Sequence, residues 1–252
     1  MDPLYRIDHH GIARYALRRR EGWRLLDGDP FGAHAVGAAL DTDRPSLLAP
    51  VMPSKIVAVG LNYKDHAAEM NKALPDEPLI FLKPSTAVIG TGAAIVIPSG
   101  AGRVDYEAEL GVVIGKTARH VAAAHAHEYV LGLTCVNDVT DRDLQRRDVQ
   151  YTRAKGFDTF APVGPCVVSG DIDRPLTVES RVNGETRQRS STRELIFPIR
   201  QLVEFVTRVM TLLPGDIIST GTPPGVGPLV AGDQVVVAIE GVGELVNDVV
   251  EE

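Results

Sequence analysis

The sequence predicts a β-rich α+β domain, on three observations: many short apolar runs bounded by Gly, Pro and Asp clusters, few helical segments, and no internal repeat or low-complexity tract. A chain of 252 residues fits one domain and can bury a substantial core. Its 44% hydrophobic and 23% charged content is that of an ordinary soluble globular protein. The formal net charge of -7 argues against a nucleic-acid surface, which needs a basic patch. It leaves room for a small anionic substrate, which responds to local charge. No apolar run approaches the roughly 20 residues of a membrane helix, and the charged N-terminus shows no secretory h-region. Cys135 and Cys166 both sit inside apolar runs and read as buried, reduced thiols, so the expected location is cytoplasmic.

Residues 1–52 are expected to form a small N-terminal β appendage, and residues 53–252 the main domain. Apolar stretches mixed with charge up to Leu26 predict a hairpin turning around Arg18 to Gly22, with the Arg18-Arg19-Arg20 run a solvated turn. Asp27 to Pro53, rich in Gly, Pro and Asp, predicts connection with one short strand. Lys55 to Leu61 is the first convincing buried strand, and it delivers Asn62 to Met70, a segment of helical propensity. Leu79 to Pro84 predicts a strand with a proline stop, and Ala94 to Ile97 a short strand. Ala118 to Tyr129 has a helical pattern with His125 and His127 on opposite sides, both solvated. Val139 to Asp148 reads as a short charged helix or lid. Asn183-Gly184 marks a type I′ hairpin turn. Phe197 to Leu213 is the clearest amphipathic helix, with Ile199, Leu202, Val203, Val206, Val209 and Met210 on one stripe. Ile217 to Thr220, Gln234 to Ile239 and Leu245 to Val250 close the domain as strands.

The chemistry is concentrated in Asp105-Tyr106-Glu107-Ala108-Glu109, which runs directly into the apolar strand Leu110 to Ile114. Strand side chains alternate, so Asp105, Glu107 and Glu109 point to one side. Two like charges about 4 Å apart repel by about 4 kcal/mol at an effective dielectric near 20, so such a cluster needs a cation, a proton or open water. A second apolar run, Val130 to Asn137, ends in Asp138. A further carboxylate there completes an all-oxygen site for a hard divalent ion, Mg2+ or Mn2+. No His or Cys stands at zinc-type spacing beside these acids.

In a helix, His66 and Glu69 stand at i and i+3, where the carboxylate can hold one imidazole nitrogen and leave the other as a base toward water. The plainer alternative is a surface ion pair. The loop Gly221-Thr222-Pro223-Pro224-Gly225 is neither a P-loop nor a dinucleotide fingerprint; it reads either as a carboxylate-binding loop or as a turn.

Together and in this order, these segments resemble the fumarylacetoacetate hydrolase (FAH) superfamily from about Pro53 to the C-terminus. The resemblance lies in Val59-Gly60-Leu61-Asn62-Tyr63 with His66 and Glu69, Phe81 to Pro84, Asp105 to Glu109, Asn137-Asp138 with Arg142 and Gln145, Ala154-Lys155, and Gly221-Thr222-Pro223. It implies a mixed β-sandwich roll of the FAH C-terminal-domain type, a homodimer, and Mg2+ or Mn2+ held by Glu107, Glu109 and Asp138, with Asp105 behind them. It further implies a small anionic 2-oxo acid substrate that chelates the metal and reacts through a metal-stabilised enolate. His66 and Glu69 would activate water, Lys155 and Gln145 would stabilise the oxyanion, and Arg142, Lys83 and Thr222 would grip carboxylates. The first expectation is hydrolytic C–C cleavage of acylpyruvates or related 2,4-dioxo acids. The rivals are decarboxylation of oxaloacetate, isomerisation or decarboxylation of 2-hydroxyhepta-2,4-diene-1,7-dioate, and an inactive small-molecule binder on the same fold.

Overall fold

The unbroken apolar run after Glu109 becomes the strand Ala108–Ile114, buried at every position, as befits a central strand covered on both faces. In the computed structural model, which describes residues 2–252, this strand lies within a large mixed sheet. The path of that sheet runs from His34–Ala39 through Gly22–Gly28, Ile12–Arg19, Leu4–His9, Ala161–Val168 and Val130–Asn137 to Ala108–Ile114. It continues through Ile217–Ser219 and Lys55–Gly60 to Leu79–Pro84. Most neighbours are antiparallel, whereas Ile217–Ser219 and Lys55–Gly60 are parallel. A five-stranded sheet carries Glu185–Ser191, Thr177–Val182, Gln234–Ile239, Gly243–Glu251 and Ile95–Ile97, and a three-stranded sheet joins Thr140–Asp141, Val104–Tyr106 and Gly227–Pro228.

The main core lies where Leu110 and Val112 of the large sheet meet Val178, Val237 and Leu245 of the five-stranded sheet. Each such side chain, fully buried, contributes roughly 1.5–3 kcal/mol. The result is the expected β-rich α+β roll. Among the described residues there are four α-helices: α1 (Lys64–Glu69), α2 (Arg142–Asp148), α3 (Thr152–Gly156) and α4 (Ile199–Val209).

Two helical expectations are corrected. Over Ala118 to Tyr129 only Ala123–Glu128 is helical, as a 3-10 segment. Ala118 instead exchanges backbone hydrogen bonds with Leu212. That bridge also stops α4 at Val209 short of the predicted Leu213, and leaves Val209 exposed. Thr207 takes the buried place, its hydroxyl accepting from the Val121 N–H at 3.0 Å. His125 and His127 are both exposed, as expected.

The N-terminal hairpin forms between Ile12–Arg19 and Gly22–Gly28. Asp27 to Pro53 holds two strands, His34–Ala39 and Ser46–Leu48, where one was expected. The N-terminal strands continue the large sheet through the pairing Leu4↔Val167. Both cysteines are free and buried; burial pushes the Cys166 thiol up to about 11 and the Cys135 thiol further up, which disfavours the thiolate. No helix among the described residues is long and apolar enough to cross a membrane.

Asp216 pins the strand Ile217–Ser219 to the start of Lys55–Gly60. Its buried carboxylate accepts from Leu213 N–H at 2.8 Å, Ser54 N–H at 2.9 Å and Lys55 Nζ at 2.5 Å. Burial alone would raise its pKa, but the Leu213 N–H, Lys55 and Ser54 outweigh it and hold the carboxyl below its usual range. A depressed folded-state pKa stabilises above the unfolded value near 4 and loses that contribution as pH falls through the folded value. Asp216→Ala is therefore expected to cost about 3–5 kcal/mol in urea unfolding at pH 7, and less at pH 3. Equal losses at both pH values would contradict this role.

Candidate active site

Glu107 stands at the break between the strands Val104–Tyr106 and Ala108–Ile114, which belong to different sheets. The register Ala108↔Asn137 sets Asp138 beside it. Two bonds fix the junction: the Glu107 N–H donates to Asn137 Oδ1 at 3.0 Å, and the Asp138 N–H donates to the Glu107 carbonyl at 2.9 Å. Alternation brings Glu109 to the same side as Glu107. The carboxylate oxygens of Glu107, Glu109 and Asp138 come within 4.8 Å of one another, all buried.

Cations surround this triad. Lys155 Nζ bridges Glu107 Oε2 at 2.8 Å and Asp138 Oδ2 at 2.5 Å. Lys83 Nζ lies 2.6 Å from Asp138 Oδ1. Arg142 donates to Glu107 Oε1 at 2.5 Å, Asp105 Oδ2 at 2.9 Å and Gln145 Oε1 at 2.9 Å. Asp105 is also held by Arg103. Glu109 Oε2 accepts from the Ser219 hydroxyl at 2.6 Å and the Gly221 N–H at 2.9 Å. Burial pushes Glu107 toward the protonated form, yet Lys155 and Arg142 hold its pKa at about 2. Glu109 goes the other way: burial, with repulsion from Asp138 and Glu107, pushes it up to about 8. Burial lowers Lys83, whereas Asp138 and Glu107 keep Lys155 above its usual value against burial.

The donor set fits a hard divalent cation: three buried carboxylates, with a proton on Glu109 at neutral pH where a positive charge would otherwise stand. The residues that would hold the ion are Glu107, Glu109 and Asp138.

The triad opens into a cavity of about 690 Å3 whose walls include Asp105, Arg142, Gln145, Lys155 and Thr222. His66 and Glu69 line the same cavity from α1, with His66 Nδ1 2.9 Å from Glu69 Oε2. Glu69 Oε1 accepts from the Gly225 N–H at 3.2 Å, which ties α1 to the Gly221–Pro228 loop. With Nδ1 engaged, Nε2 is the ring atom left for proton transfer.

Ten of the eleven residues singled out in the sequence line this one cavity. Lys83 does not. It is fully buried beneath Asp138, where its ammonium also donates to the Val139 carbonyl at 3.2 Å, so it neutralises a ligand from behind and does not reach the substrate space. Thr222 is more committed than expected, since its hydroxyl donates to the Ala108 carbonyl at 3.0 Å and accepts from Gln188. Arg142 is committed too, spanning Glu107, Asp105 and Gln145. The sequence reading missed Ser219 and Arg103, whereas the loop after Thr220 does hold carboxylates through its backbone N–H groups, Gly221 on Glu109 and Gly225 on Glu69, as one of its two readings had it. The Ile217 to Thr220 run gave no sign which polar side chain would meet Glu109.

The profile of the family described as "Fumarylacetoacetate (FAA) hydrolase C-terminal" matches residues 55–250. The chain belongs to this family. A 5-carboxymethyl-2-hydroxymuconate delta-isomerase from Mycobacterium smegmatis superposes with a TM-score of 0.93 at 43% identity, covering 99% of this chain and 100% of that one. The family member named oxaloacetate tautomerase Fahd2a, from Rattus norvegicus, is 43% identical over 81% of this chain and 69% of its own. A fumarylpyruvate hydrolase from Pseudomonas aeruginosa, solved with Mn2+ and pyruvate, superposes with a TM-score of 0.73 at 36% identity over 84% of this chain and 94% of that one.

Because Glu109 favours a proton that an incoming cation must displace, Mn2+ affinity measured by calorimetry should strengthen close to tenfold from about pH 6 to about 7 and less steeply toward about 8. About one proton should be released per ion bound, and the dependence should level off above that range. Affinity independent of pH would contradict the protonated state of Glu109.

Proposed function

We propose that this chain is a divalent-metal-dependent enzyme for short 2-oxo acids, whose chemical step is proton transfer at the carbon beside the 2-oxo group. Keto–enol tautomerisation of oxaloacetate and isomerisation of an unsaturated 2-oxo dicarboxylate are reactions of this kind. The observation that carries the reading is the shared cavity: the His66–Glu69 pair and the carboxylate triad open onto one space. Mg2+ or Mn2+ bound at the triad supplies Lewis acidity toward the carboxylate and 2-oxo oxygens of such an acid. Glu69 holds His66 in the tautomer whose Nε2 accepts a proton, so the pair takes the proton from carbon and returns it at the other end of the conjugated system. Lys155, between Glu107 and Asp138, and the side-chain amide of Gln145 are the donors for negative charge on the substrate. Names borne by similar proteins support this choice: an isomerase similar over the whole chain and a tautomerase at 43% identity.

A second reading is hydrolytic C–C cleavage of acylpyruvates or related 2,4-dioxo acids, in which His66 takes its proton from water. It is favoured by the same pair, which is built as a water base, and by the likeness to a fumarylpyruvate hydrolase. Simple decarboxylation gives the pair no task.

The test offers oxaloacetate, 5-carboxymethyl-2-hydroxymuconate and acetylpyruvate to the Mn2+-loaded protein and to protein treated with EDTA. Metal-dependent loss of enol absorbance without pyruvate release supports tautomerisation or isomerisation, and release of pyruvate and acetate from acetylpyruvate supports hydrolysis. His66→Ala is expected to lower the active rate on the order of 10²–10⁴-fold with Mn2+ affinity kept. Glu107→Gln is expected to lose metal and turnover together; full activity of that variant in EDTA would overturn the assignment.

A further inference from the structure

We infer that Gln188 is a positioning residue for the metal centre, setting the spacing of Glu107 and Glu109 from the opposite sheet; this rests on the metal reading of the triad. Gln188 lies in Glu185–Ser191, a strand of the five-stranded sheet, and is 1% exposed. Its amide makes three bonds, and each ends on the backbone or the loop that frames the triad. Oε1 accepts from the Ala108 N–H at 2.9 Å. Nε2 donates to Thr222 Oγ1 at 2.8 Å and to the Pro223 carbonyl at 2.7 Å. Thr222 Oγ1 in turn donates to the Ala108 carbonyl at 3.0 Å.

Ala108 is the residue between Glu107 and Glu109, so both of its backbone polar groups are held by this pair of side chains. A reason is visible in the sheet. Ile217–Ser219 pairs only with Gly111, Val112 and Val113, and the next bond, Thr220 N–H to the Leu110 carbonyl, ends the ladder. Beyond it the metal-bearing strand has no backbone partner on that side, and Gln188 with Thr222 stands in for the missing strand. Buried backbone groups left without partners are destabilising, so the local path of the chain through Ala108 depends on these bonds. The clamp also reaches the other half of the site. The Thr222 loop continues to Gly225, whose N–H donates to Glu69, and a Cβ at Gly225 would lie 2.3 Å from the Arg187 carbonyl beside Gln188.

The test compares Mn2+ binding in wild type, Gln188→Met, Thr222→Val and Ser180→Ala by calorimetry and by the electron paramagnetic resonance of bound Mn2+. Gln188→Met keeps volume and removes all three bonds, and Thr222→Val removes the other half of the clamp. Ser180 is the cross-strand partner of Gln188, is equally buried, and has a hydroxyl with no hydrogen-bond partner, so Ser180→Ala perturbs the same hairpin without touching the clamp. Gln188→Met and Thr222→Val are expected to weaken Mn2+ binding on the order of 10–100-fold and to change the resonance line shape, with Ser180→Ala within twofold of wild type. If Gln188→Met fails to fold, Thr222→Val decides. Folded clamp variants within twofold of wild type, or an equal loss in Ser180→Ala, would overturn the role of Gln188 alone. Wild type that binds no Mn2+ would overturn the metal reading and this role with it.

Discussion

Four carboxyl groups, those of Asp105, Glu107, Glu109 and Asp138, are packed into one buried cluster, and the cations set against them are Lys83, Lys155, the mostly buried Arg142 and the more exposed Arg103. Removing a carboxylate from water costs several kcal/mol even after relaxation, and repulsion between neighbours adds to that. Lys83 and Lys155 meet Asp138, Lys155 and Arg142 meet Glu107, and Arg103 and Arg142 meet Asp105, so three of the four charges have a cation in contact. The fourth, on Glu109, is the one driven to hold a proton. A divalent ion bound there would replace that proton and leave net positive charge for an anion, although the chain as a whole carries a net charge of -7.

The fold serves this balance by breaking a strand where the charges meet. Up to Tyr106 the chain belongs to the three-stranded sheet, and from Ala108 to the large one, with Glu107 at the corner. The next strand, Val130–Asn137, stops at the same level, and Asp141 then caps α2 by accepting from the N–H groups of Asp143 and Leu144. That cap makes Arg142 the first residue of the helix, with its guanidinium between Asp105 and Glu107. Across the cavity, α1 is anchored by the Gly225 N–H on Glu69. Each wall of the site is thus fixed by a backbone group, and the reacting side chains are left to the cavity.

Much of this was legible from local pattern. Alternation put Glu107 and Glu109 on one face, the apolar run before Asp138 marked its strand, and the i, i+3 spacing of His66 and Glu69 matched the contact found. What stayed hidden depends on partners distant in sequence. A lysine in a short strand reads as exposed, but Lys83 is buried beneath Asp138, which arrives from just past the end of another strand. His34–Ala39 is almost wholly exposed and made mostly of alanine and glycine, so it carries no alternation to read. Gln188 sits in a strand whose residues are all polar, where nothing local distinguishes the one side chain that turns inward. Helix length failed at Ala118 and Leu212 for the same reason, since their mutual backbone bridge overrides helical propensity on both sides.

The central claim, that the three carboxylates form the cation site, is tested most directly by the anomalous scattering of a crystal of this protein grown with Mn2+. The account predicts one strong peak about 2.0–2.3 Å from oxygens of Glu107, Glu109 and Asp138 together. Mn2+ bound elsewhere, or Lys155 still bridging Glu107 and Asp138 with no ion at the triad at saturating Mn2+, would contradict it.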